Sequence, residues 1–246
     1  MNGILGAITF WESPMSFRPF LSAVCLTVLL AFARVGADAQ DIFVTPVANA
    51  PFSAVINVER TIINNDGSVM QFKNVRHIGR DSQGRVHNES REPVPASSTK
   101  TPQLLHIHLY DPQTRISTDI DPGRHVYWTV VLNHPPATEP PSLRFSAPDG
   151  QAPPNEFAKE EDLGTREIEG VSAHGIRQTQ SIPDSGGKEI VVTDEYWYSA
   201  DLRINLLIKH TDPRSGNKTM TVNEITRTEP DRAFFEVPEG YKRTGN

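Results

Sequence analysis

EIVVTDEYWY at residues 189–198, LRINLLIKHT at 202–211 and TMTVNEIT at 219–226 are the stretch whose reading decides the fold. Each segment is β-branched or aromatic over the length of a strand rather than that of a helix. Ser199-Ala200-Asp201 is short enough for a tight reversal. Asp212-Pro213-Arg214-Ser215-Gly216-Asn217 supplies the next one, with proline presetting φ and glycine admitting a positive value. The three segments therefore predict an antiparallel meander. The closing PDRAFFEVPEGY at 230–241 predicts one short helical turn, with Phe234, Phe235, Val237 and Tyr241 sealing the apolar face of the sheet.

The same chemistry extends upstream. LGTREIEGVSAHGIRQTQSIP at 163–183 holds two more strands around Glu169-Gly170. FSAVINVERTII at 52–63 and SVMQFKNVRHIGRD at 68–81 flank Asn64-Asn65-Asp66-Gly67, a strong reversal signal. RVHNESRE follows a turn at Asp81-Ser82-Gln83-Gly84. After a connector at 93–102 come LLHIHLYDP, TRISTDIDP and RHVYWTVVL, divided at Asp111-Pro112 and Asp121-Pro122. An aspartate before proline starts a turn because its carboxylate bonds the turn's own backbone. The spacing of these pairs is too irregular for a repeat architecture. On 68–81, Val69, Gln71, Lys73, Val75 and His77 share one face, and Met70, Phe72, Asn74, Arg76 and Ile78 the other. The fold class expected is mainly β: a curved antiparallel sheet or half-open barrel with little helix, the alternative being a β-sandwich.

The apolar run from Phe20 to Phe32, after Arg18 and before Ala37-Asp38-Ala39, reads as a signal peptide over 1–39 with a mature start at Gln40. It is shorter than the roughly 17 residues that cross a bilayer, and no later stretch is apolar enough to span one. The organisation expected is a flexible N-terminus at 40–51, one antiparallel β domain at 52–241 with a proline-rich insert at 133–161, and a tail at 242–246. Cys25, the single cysteine, lies in the leader. A cysteine-free mature chain has no disulfide scaffold, thiol chemistry or Cys-ligated zinc. The location expected is periplasmic or extracellular. A net charge of −6 argues against nucleic acid and against broad contact with anionic headgroups.

Candidate chemistry is sparse. His106 and His108 share a strand face and make half a metal site, to which His125 or His77 could add a third ligand. Ordinary solvated histidines beside acids are the simpler account. Tyr196, Trp197 and Tyr198 form the densest aromatic cluster; with Phe234 and Phe235 they are the candidate ligand-binding residues, weighed against plain packing. G-x-S-x-G, Walker A, dinucleotide and HExxH patterns are absent.

The segments at 163–183 and 196–241 also carry a resemblance. Leu163-Gly164-Thr165, Ile168-Glu169-Gly170, Trp197-Tyr198-Ser199, Asp212-Pro213-Arg214, Glu229-Pro230-Asp231 and Phe235-Glu236-Val237-Pro238 resemble the pattern of a family of secreted proteins from soil acidobacteria. That resemblance covers nearly all of 52–241 and brings no established activity. The strand pattern is more loosely similar to lipoprotein-carrier (LolA-like) and lipoprotein-sensor folds, which implies a curved sheet with a concave apolar surface. The function expected is a non-catalytic secreted or periplasmic binding or structural module that holds an apolar ligand, a lipid or a segment of an envelope partner, with no cofactor. The alternative is a secreted enzyme or metal-binding protein using His106 and His108.

Overall fold

Aspartate-led turns set the strand boundaries. Asp111 accepts the amides of Gln113 and Thr114, Asp121 that of Arg124, and Asp212 that of Arg214. Four residues after each aspartate stands a left-handed residue, Arg115 at φ 59°, His125 at φ 53° and Gly216 at φ 111°. Such a residue closes a hairpin loop while matching the right-handed twist of its strands. At the first two positions arginine and histidine take the conformation that glycine provides at the third.

The computed structural model describes residues 41–134, 158–183 and 186–245. Its strands are β1 (Phe52–Ile63), β2 (Val69–Arg80), β3 (Val86–Arg91), β4 (Val94–Pro95), β5 (Leu104–Asp111), β6 (Ile116–Asp121), β7 (Val126–Val131), β8 (Ala158–Ile168), β9 (Val171–Pro183), β10 (Glu189–Ser199), β11 (Ile204–Asp212), β12 (Gly216–Thr226) and β13 (Lys242–Arg243). They form a single sheet in the order β13-β7-β6-β5-β3-β2-β1-β12-β11-β10-β9-β8, with β4 beside β2. The sheet is curved and open, neither a closed barrel nor a sandwich of two sheets. Two meanders, β1 to β7 and β8 to β12, meet where β1 pairs antiparallel with β12. β13 runs parallel to β7.

Strand alternation gives the sheet two faces. The inner face carries Phe52, Ala54 and Ile56 of β1, Ile78 and Arg80 of β2, Val86 of β3, Tyr110 of β5, Ile208 of β11, and Met220 and Val222 of β12, all buried in one cluster with Arg80 among them. β11 is buried on both sides from Ile204 to Ile208. A smaller cluster of Ile107, Leu109 and Ile120 lies on the outer face of β5 and β6.

The expected leader, residues 1–39, and the part of the proline-rich stretch at 135–157 lie outside the described residues. Strand β8 begins at Ala158, so the end of that stretch belongs to the sheet. Residues 41–51, expected to be a flexible terminus, pack instead onto the inner face, where Ile42, Val44 and Thr45 are buried. The tail contributes β13. The closing segment does form one turn, the 3₁₀ helix Arg232–Phe235, capped by Asp231 accepting the Ala233 amide. It covers a different surface from the one expected: Val237 and Tyr241 pack on the Ile107, Leu109 and Ile120 cluster of the first meander. Phe234 lies over Gly79, where an added Cβ would stand 2.8 Å from the ring. Its ring also stacks on His87 at 3.7 Å. Segment 230–241 therefore seals the outer face of the N-terminal strands, where Ile107, Leu109 and Ile120 offer an apolar patch.

Candidate functional site

The inner face is closed at one end by Arg80. Its Nε donates to the Ala50 carbonyl at 2.9 Å, Nη1 to the Thr45 carbonyl at 2.8 Å and Nη2 to the Leu202 carbonyl at 2.9 Å. A fully buried guanidinium thus ties segment 41–51 and the β10–β11 turn to β2. Burial, assisted by the nearby charge of Arg203, lowers its pKa to about 10, which leaves it cationic at neutral pH. The backbone carbonyls take the place of water around the charge.

Toward the other end of the same face the covering stops and a cavity of about 300 Å³ opens over β12, β1 and β2. Its floor is apolar: Val58 and Ile62 of β1, Phe72 of β2 and Met220 of β12. These positions continue the alternation that buries Phe52, Ala54 and Ile56 farther along β1. Register places Arg60 directly opposite Phe72 on one side and Lys218 on the other. Like charges directly across a strand pair repel. Among the described lining residues Asp41 is the one acid, against Arg60, Lys73, Arg76 and Lys218. Asp41 grips Arg76 with both oxygens, at 2.6 Å from Nη2 and 3.2 Å from Nη1. Arg76 Nε and Asn74 Oδ1 are buried without a hydrogen-bond partner.

The residues singled out in the sequence do not converge on this cavity. Tyr196 pairs with Ile208 and Ile176 on the inner face, where burial, with Asp194 nearby, raises its phenol pKa. Trp197 points to the outer face. It lies flat over Gly175, whose added Cβ would meet the ring at 2.8 Å, and the Arg166 guanidinium sits 3.8 Å from its centroid. Its indole N–H donates to Glu195 at 2.7 Å. Adjacent strand residues alternate, so Tyr196 and Trp197 cannot line one surface. Tyr198 is half-buried opposite His174. Phe234 and Phe235 belong to the segment at 230–241, with the Arg85 guanidinium over the Phe235 ring.

The histidines are also dispersed. His106 Nε2 lies 3.0 Å from Asp119, and His108 Nε2 2.9 Å from Ser117 Oγ. Burial lowers the pKa of His108. His125 tilts against Tyr241, and His77 bonds Glu89 at 3.0 Å. Among the described residues no three His, Cys, Asp or Glu side chains are grouped to hold a metal ion.

Glu89 forms a further electrostatic centre, on the outer face with Arg91 and His77. Burial alone pushes its carboxyl up, but the neighbouring His87, the hydrogen bond from Arg91 and the charges of His77 and Arg91 bring it down to about 2. The His87 ring bonds the Phe234 carbonyl, which only accepts, so Nδ1 carries the proton and Nε2 faces Glu89 at 3.8 Å. His87, through its bond to the Phe234 carbonyl and its stacking on the Phe234 ring, fixes the C-terminal segment to β3.

The alternation in VINVERTII and SVMQFKNVRHIGR was legible in the sequence. The meeting of Arg60, Phe72, Lys218 and Met220 depends on the β1–β12 register, for which no local signal existed.

No protein-family model matches the chain, and no curated protein matches it in sequence. Among solved structures it is similar to a chain of the Pseudomonas aeruginosa MucA/MucB complex, at 11% identity and a TM-score of 0.37, over 81% of this chain and 57% of that one. A LolA-superfamily protein from Nitrosomonas europaea matches at 10% identity and 0.30, over 78% and 92% of the two chains. The Mycobacterium tuberculosis lipoprotein LppX matches at 12% and 0.26, over 72% and 88%. The chain spans under two thirds of the length of the two MucB-related chains, 57% and 60%.

Proposed function

We propose that this protein is a non-catalytic binding module of the bacterial envelope that holds an apolar chain in the inner-face cavity. One observation carries the reading: the face that forms the core at the Arg80 end continues, with the same alternation, into Val58, Ile62, Phe72 and Met220, which line an open cavity. Apolar surface lining a cavity gains free energy from any apolar group that displaces its water. Export is carried by the Phe20–Phe32 run and Ala37-Asp38-Ala39. N-terminal sequencing of protein from the envelope fraction should return Gln40, and an intact leader on a cytoplasmic product would refute export.

Binding is tested by native mass spectrometry of gently purified protein, followed by addition of alkyl chains of graded length. An adduct that weakens when Phe72→Ser and Ile62→Ser open the floor to water is the expected result. Chain-length-independent binding, or equal binding by the double variant, would remove the cavity from the account.

A further inference from the structure

Building on the proposed apolar-chain site, we infer that its occupant is a single-chain anionic amphiphile whose acid group is held by Arg60, Arg76 and Lys218. Three observations lead there. The cavity gathers cations on a chain whose net charge is −6, and Arg60 and Lys218 face each other in register. An anion between them meets two cations at once, and guanidinium forks match carboxylate and phosphate geometry.

Asp41 supplies the second observation, because its carboxylate already sits two-pronged on Arg76 at the cavity wall and marks where an acid is recognised. The third is the unpartnered Arg76 Nε, a buried donor still to be satisfied. Asn74 Oδ1 beside it is an acceptor, its amide turned so that Nδ2 donates to the Arg91 carbonyl at 2.6 Å. A water or hydroxyl accompanying the acid fits that atom. The volume suits one chain: about 300 Å³ lies at the small end of ligand pockets, roughly 300–1,000 Å³.

The experiment compares decanoate, decyl phosphate and decanol on the full-length mature chain by calorimetry at low salt. Wild type should bind the anions roughly tenfold or more tighter than decanol, the scale of one charge-assisted contact. Arg60→Gln with Lys218→Gln should erase that preference while leaving the thermal melting curve unchanged. Asp41→Asn, which removes the competing carboxylate, should tighten decanoate. A preference for decyl phosphate over decanoate assigns the acid to a phosphate monoester, and the reverse assigns it to a fatty acid. Equal binding of decanol and both anions, or a preference that survives the double variant, overturns this inference and leaves the apolar-chain reading standing. Failure of all three ligands to bind defeats both.

Discussion

The two ends of the inner face use the same alternation to opposite effect. Near Arg80, Phe52 and Ile56 are fully buried under segment 41–51 and the β10–β11 turn. Near Arg60, Ile62 and Phe72 on the same two strands are only half-buried around a cavity. The difference lies in what comes across the face. A guanidinium that satisfies backbone carbonyls can fasten a covering segment, whereas one in register with another cation repels cover of its own charge. Stability is thus expected to concentrate at the Arg80 end and binding at the Arg60 end.

The largest effect belongs to Arg80→Met. It strands three backbone carbonyls and loosens segment 41–51, and denaturant unfolding should show a loss of about 3–5 kcal/mol. A loss under about 1 kcal/mol would mean that the apolar residues alone hold the cover. Next comes a matched pair on β1: Ile56→Ala should cost about 3 kcal/mol and Ile62→Ala about 1 kcal/mol or less. Equal costs would show that the cavity floor is as buried as the core.

Acid titration of Glu89→Gln comes third. Because the folded pKa is lowered from 4.5 to about 2, the ionised carboxylate stabilises the fold fully above its unfolded pKa and loses that contribution as pH falls toward 2. The variant should be less stable than wild type at pH 7 by on the order of 2 kcal/mol, with the gap closing between about pH 5 and 2. Parallel pH profiles would show that the Glu89 carboxylate does not carry the acid sensitivity of the fold. Smallest is Arg60→Gln, which should change stability by less than about 0.5 kcal/mol. A larger destabilisation would make Arg60 a structural residue rather than a ligand contact.

Much of the architecture was legible because it depends on residues close together in the chain. Aspartate carboxylates reaching amides two or three residues on, and side chains alternating every second position, predict the hairpins and the two faces of β2 without reference to anything distant. Left-handed Arg115 and His125 were hidden because turn geometry, rather than a glycine, imposes that conformation. The aromatic run at 196–198 was conspicuous, yet alternation sends Tyr196 and Trp197 to opposite sides.

What the sequence by itself determined is therefore the strand set, its turns and its antiparallel sense. Only the tertiary structure decided that β1 pairs with β12, that segment 41–51 covers one end of the inner face, and that segment 230–241 crosses the outer one. Pairing register and coverage follow from contacts between segments far apart in the chain. Such contacts depend on how apolar surface is shared across the whole sheet, so no local pattern could place Arg60 beside Lys218 and Phe72.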